Sequence, residues 1–203
     1  MNAAIAQCFM VDLDVVAISA GYPFRGSIDA LPLGNCGVIQ MANIGVEGGI
    51  DWDSVARVTL PSGRSVDYLQ SGDVILSTRG SRNLAVAFEQ PPFPTVCSPQ
   101  FFVLRVNRPD ILLPSFLAWQ INQRPAQEYF QREATGSYIL NIRREVVENL
   151  PLAVPPLPQQ HLIVALVAAA RDERVALARL INTRDQQMEA IAMDLHRPER
   201  HTR

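Results

Sequence analysis

Residues Ser71 to Arg82 run through a Gly72-Asp73 turn and an apolar strand, Val74-Ile75-Leu76-Ser77. The segment then opens into Thr78-Arg79-Gly80-Ser81-Arg82. Two arginines among small hydroxyl residues suit an anion: a guanidinium makes paired hydrogen bonds to a phosphate or to guanine O6 and N7, and Gly and Ser let the backbone come close. A solvated basic loop would read the same way. No other segment offers a reaction centre. There is no Gly-x-Gly-x-x-Gly turn, Gly-x-Ser-x-Gly elbow or His-Glu-x-x-His pair, and His161, His196 and His201 fall on a helical stretch or the tail. Asp51-Trp52-Asp53 lacks a third ligand and reads as a turn cap. Val154-Pro155-Pro156-Leu157 lacks the Asn and the aromatic residue of an adenine methyltransferase signature.

All 18 basic residues are arginine. Without lysine the chain cannot build a Walker A loop, a pyridoxal phosphate Schiff base or a nuclease core of two carboxylates and a lysine. The formal charge of −2 hides an uneven distribution: residues 1–76 hold three arginines against eight acids, residues 77–144 eight against four, and residues 145–203 seven against eight. The middle is the candidate anion-facing part. Cys8, Cys36 and Cys97 form no Cys-x-x-Cys pair, which implies reduced thiols and no zinc site. The start carries Asp12 and Asp14 and no basic leader, and the longest apolar run is Leu162 to Ala170. An intracellular, cytoplasmic protein with no membrane span is expected.

At 203 residues, 48% hydrophobic and with mean hydropathy +0.06, the chain can bury a core. Up to residue 110 it reads as short strands (Val38–Met41, Ala56–Leu60, Val74–Ser77, Leu84–Phe88 and Phe101–Val106) between Gly, Pro, Asn and Asp clusters. Two short helices follow, starting at Pro114 and Pro125, and Ser137–Asn141 reads as a further strand. Leu150 to Pro158 is too rich in proline for a helix and reads as an extended connector. Gln159 to Leu195 then lacks Gly and Pro and reads as one helix about 55 Å long, too long to lie wholly on a domain of this size. Ile163, Val167, Ala170, Leu177, Ile181, Met188, Ile191 and Leu195 mark a seam of period seven, interrupted by Arg174 and Arg184. The expected architecture is a mixed α/β globule with a twisted sheet and short helices over residues 1–150, then a connector and a long coiled-coil helix over residues 151–203.

In order and spacing, several stretches together resemble the specificity (S) subunit of type I restriction-modification systems over nearly the whole chain. They are Gly37 to Ile44, Gly72 to Ser81, Ser98 to Arg105, Pro114 to Asn122 with its Phe-Leu-Ala-Trp-Gln core, Thr135 to Ile139, Leu150 to Leu152, and Pro155 to Gln160 leading into the helix. The resemblance implies a target recognition domain gripping one half of a split double-stranded DNA site. It also implies a helix that pairs antiparallel with another, and methyltransferase (M) and restriction (R) subunits that carry S-adenosylmethionine and the chemistry. A full-length specificity subunit has two domain-plus-helix units and this chain has one, so it resembles a half-subunit. The simplest partner is a second copy, which would read a bipartite palindrome. No catalytic residue and no cofactor of its own are expected. Candidate DNA contacts are Tyr22, Arg25, Gln40, Asn43, Arg79, Ser81, Arg82, Thr135, Ser137 and Tyr138, with Gln40 and Asn43 as amide readers of adenine. The competing expectations are a DNA-targeting module of another defence system and an oligomeric, protein-binding scaffold built on the helix.

Overall fold

The computed structural model describes residues 7–10, 14–24, 26–31, 33–45, 49–61, 65–80, 82–88, 90–134 and 140–196. The elements in chain order are β1 (Gln7–Met10), β2 (Val16–Ala20), β3 (Cys36–Ile39), β4 (Ala56–Val58), β5 (Asp73–Ser77), β6 (Arg79–Gly80), β7 (Ala85–Ala87), β8 (Thr95–Cys97), β9 (Phe101–Val106), α1 (Pro114–Ile121), α2 (Arg124–Glu133), β10 (Leu140–Asn141), α3 (Arg144–Glu148), β11 (Pro151–Val154) and α4 (Leu157–Leu195). This is the expected mixed α/β fold ending in a long helix. Two compact units divide the chain, residues 1–164 and 165–203.

In the first unit an antiparallel sheet runs β2-β9-β5-β7. Beside it lies a sheet in the order β4-β3-β8, in which β3 and β8 are parallel. All five residues of β5 are buried, which explains its unbroken apolar run: a strand covered on both faces has no side that favours polar residues. Period-two alternation sends Val74 and Leu76 to one core with Phe116, Leu117, Ile121 and Phe130 of α1 and α2, and Ile75 to a second with Ile39, Phe101 and Val103. A third cluster, Cys36, Val38, Val58, Leu60 and Val96, lies on the other face of β3 with Tyr22 and Phe24 against it. Both short helices start where proline is tolerated, at an N-terminal position whose N–H has no intrahelical acceptor.

The five strands read from sequence are all present, shifted at their ends by up to two residues. Strands β1, β2 and β8 and helix α3 were not anticipated. Of the strand read at 137–141, residues 137–139 lie outside the described residues, and Leu140–Asn141 pairs with Gly80 and Arg79. The proline-rich segment is extended, as expected, but it is not a bare connector: Pro151–Val154 pairs antiparallel with Gln7–Met10, and Leu152 is buried in the first core. The first unit continues to Val164, beyond the boundary read at residue 150.

The second unit holds the remainder of α4, and every described residue from Arg171 to His196 is exposed. Among the described residues no helix is long and apolar enough to cross a membrane.

Candidate nucleic-acid interface

One turn organises the end of the two sheets. Ser98-Pro99-Gln100-Phe101 is closed by the Phe101 N–H donating to the Ser98 carbonyl at 3.2 Å. Three strand ends are tied to it. The Gly21 N–H donates to the Phe101 carbonyl at 2.9 Å and the Tyr22 N–H to the Cys97 carbonyl at 2.8 Å. The Ser98 N–H donates to Ile39 at 2.9 Å. The Gln100 carbonyl accepts both from the Thr78 N–H at 2.8 Å and from its hydroxyl at 3.0 Å. A Cβ on residue 21 would sit 2.1 Å from the Ser98 carbonyl oxygen, so only glycine allows this approach. Pro99 and Gln100 face solvent. Ser98 is buried, and its hydroxyl has no hydrogen-bond partner among the described residues.

Beside this turn, residues 78–83 leave β5 and return to β7. The base of the excursion is pinched: the Ser77 N–H donates to the Leu84 carbonyl, and the Leu84 N–H to the Ser77 hydroxyl at 2.8 Å. Asn83 Nδ2 donates to the Ser77 carbonyl at 2.8 Å. Arg79 and Gly80 form a short strand against Leu140–Asn141, a correction to the free loop expected, and Ile142 N–H donates to Thr78. Arg79 remains exposed. Arg82 is exposed too, but its Nη2 donates to the Asn122 carbonyl at 2.6 Å.

The other candidates fare unequally. Asn43 is 4% exposed, and its amide is engaged inside the chain: Oδ1 accepts from the Gln40 N–H at 2.7 Å and Nδ2 donates to Ser54 carbonyl and hydroxyl oxygens. With both amide hydrogens in use it organises a 3-10 turn, and the expectation that it reads adenine is corrected on that ground. Gln40 is half-buried at the base of the same turn. Tyr22 is half-buried, its ring 4.8 Å from Phe24 edge to face. Arg25, Ser81, Thr135, Ser137 and Tyr138 lie outside the described residues. The structure thus brings the backbones next to Tyr22, Gln40 and Arg79 around one turn. That turn exposes Gln100, which sequence reasoning missed although Pro99 at the second position of a turn was a usable signal.

No family model and no curated protein matches the chain. Solved structures do. The type I restriction-modification S subunit from M. genitalium matches with TM-score 0.58 at 18% identity, over 95% of this chain and 46% of that one. The HsdS subunit from Thermoanaerobacter tengcongensis matches at 0.58 and 22%, over 82% and 44%. A chain from a type I R-M system, described for its complex assembly and conformational transition, matches at 0.61 and 23%, over 82% and 44%. The fold is that of a type I specificity subunit. The chain spans less than half the length of these relatives.

Within this specificity-subunit fold the positive middle segment is mostly neutralised. Arg105 pairs with the buried Asp73 through Nε and Nη2, both at 2.8 Å, and with Asp67 through Nη1 at 3.0 Å. The hydrogen bonds to Asp73 raise the Arg105 pKa further, more than burial lowers it. Arg108, Arg124, Arg132 and Arg144 pair with Asp110, Glu128, Glu133 and Glu148. Of the eight arginines in residues 77–144, Arg79, Arg82 and Arg143 remain without a carboxylate partner among the described residues. Arg143 follows two residues after Asn141, the partner of Arg79, so these three cations flank the β6–β10 pairing. The specificity-subunit fold holds no cluster of His, Cys, Asp and Glu fit for a metal among the described residues.

Proposed function

We propose that this chain is a sequence-reading subunit of a type I restriction-modification system. Its first unit is the target recognition domain for one half of a bipartite double-stranded DNA site. It recruits an M subunit, and through it an R subunit, in the cytoplasm, and those partners supply the cofactor and the chemistry. The observation that carries this reading is the fold shared with S subunits over 82–95% of the chain. The site supports it: Arg79, Arg82 and Arg143 supply charge for phosphates, and the backbone-locked turn at 98–101 presents Gln100, whose amide suits the N6 and N7 edge of adenine.

Selection from a pool of randomised duplexes tests it. The chain, alone or with its M subunit, enriches a defined half-site, and Arg79→Ala weakens binding to all duplexes alike while Gln100→Ala relaxes the preference at one base pair. Failure to enrich any sequence in either form would sink the reading. Incubated alone with DNA and S-adenosylmethionine, the chain transfers no methyl group. The exposed apolar residues of α4 favour a second reading, a scaffold that acts only by binding protein. A chain that self-associates or holds the M subunit while showing no affinity for any duplex would select it.

A further inference from the structure

The seam of α4 has a symmetry that specifies how two copies meet. Its apolar positions Leu177, Ile181, Met188, Ile191 and Leu195 are 51 to 79% exposed, so these side chains are left uncovered by the described residues. Ile163, at the first end, is half-buried against the first unit's own core, which removes it from the seam expected from sequence. The two charged residues in the seam, Arg174 and Arg184, each lie five positions from residue 179. Val167 and Ile191 each lie twelve away, and Leu177 and Ile181 each two. Reversed about residue 179, the pattern of apolar and charged positions reproduces itself.

We propose that two copies of this chain pair antiparallel through α4 with the two-fold axis at residue 179. The proposal rests on the self-pairing reading and adds its register. In this alignment Leu177 meets Ile181 of the second copy, Ala170 meets Met188, Val167 meets Ile191, and Arg174 meets Arg184. Every layer from residue 167 to residue 191 is then uniformly apolar or uniformly polar, and Leu195 lies beyond the last of them, opposite the Ile163 that the first unit covers. Shifting either way by one heptad sets arginines against apolar residues, which a buried layer penalises. Arginine tolerates its own layer because the long stem lies on the seam while the guanidinium reaches water.

The flanks agree with the seam. Antiparallel pairing brings like flanks together, so Arg171 of one copy faces Asp185 of the other, about 3 Å apart along the axis, twice per dimer. Glu173 and Asp185 border the arginine layers. At the axis itself the flanking residues are Leu180 and Ala178, so no charge meets its own copy there. Shifted one heptad one way, Arg171 faces Ala192, Asp185 faces Ala178 and Glu173 faces Asp194; shifted the other way, Arg171 faces Ala178 and Asp185 faces Val164.

Single cysteines in the full chain carrying Cys8→Ser test the register, since Cys36 and Cys97 are buried. Ala178→Cys is linked to its copy by a short bismaleimide, whereas Leu195→Cys, about 48 Å from its copy, is not. Arg171→Glu weakens the dimer about tenfold in sedimentation, and adding Asp185→Arg restores it. Linkage at residue 195, or a dimer unlinked at residue 178, would overturn the register and leave self-pairing intact. A monomer at tens of micromolar would overturn self-pairing itself.

Discussion

At Gly21 the constraint is steric. Gly21→Ala places a methyl group inside the Ser98 carbonyl, so the turn must move or β2 must end early. A loss of about 2 kcal/mol or more is expected in chemical denaturation, with loss of sequence preference and retention of weak, unselective DNA binding. Cys97, at the base of the same turn, makes a chemical prediction. Burial pushes its thiol from an ordinary value near 9 up to about 12. The folded state therefore holds this proton more tightly than the unfolded one. The contribution is fully present below pH 9 and declines as pH rises from 9 toward 12, which denaturant midpoints taken from pH 8 to 10.5 would register as a fall. In native buffer at pH 8 a thiol reagent leaves Cys36 and Cys97 unmodified, and unfolding exposes both.

Among the elements, amide side chains close what the strands leave open. Asn122 exchanges two hydrogen bonds with Ala85 on edge strand β7, Gln120 does the same with Ala153 on β11, and Gln127 with Asn83. Gln160, fully buried at the start of α4, accepts from the Leu113 N–H at 2.9 Å and donates to the carbonyls of Ile111 and Pro155 at 2.8 Å. Gln160→Leu leaves three backbone groups unpaired. It should cost about 3 kcal/mol in denaturation, with Gln160→Glu retaining less than wild-type stability as well, since a carboxylate cannot donate to the two carbonyls. These residues explain which parts of the fold were legible. Strands such as β5 and β9 announce themselves because local pattern and burial agree. By contrast β8 is three residues beside a Pro cluster, and β11 looks like a linker until Gln7–Met10 is seen beside it, pairing that spans the whole unit. In the site, Arg79 was legible as an exposed cation. The engagement of Asn43 with Ser54, and of Arg105 with Asp73, depends on separations of 11 and 32 residues that no local reading contains.

For the whole molecule, counting arginines overstates the charge available to DNA, because five of the eight in the middle segment already face a carboxylate. The salt dependence of binding should therefore be shallow for a basic segment of this size. With Arg79, Arg82 and Arg143 on phosphates, a plot of log affinity against log salt would have a slope of about −3 per chain, and each Arg→Ala change would reduce its magnitude by about 1. A slope unchanged by all three substitutions would place the contacts elsewhere. The pairing of β1 with β11 has a different consequence. Chain enters the first unit on β1 and passes toward α4 from β11, its hydrogen-bonded neighbour, so the strands between them form a cassette held by a single clasp. A short linker from Val154 back to Gln7 would close it into a ring, and a new opening cut in an exposed loop would leave every other strand partnership as it was. Such a permuted chain should still fold, at a stability lowered by about 3 kcal/mol because the start of α4, with its Gln160 contacts, no longer follows β11.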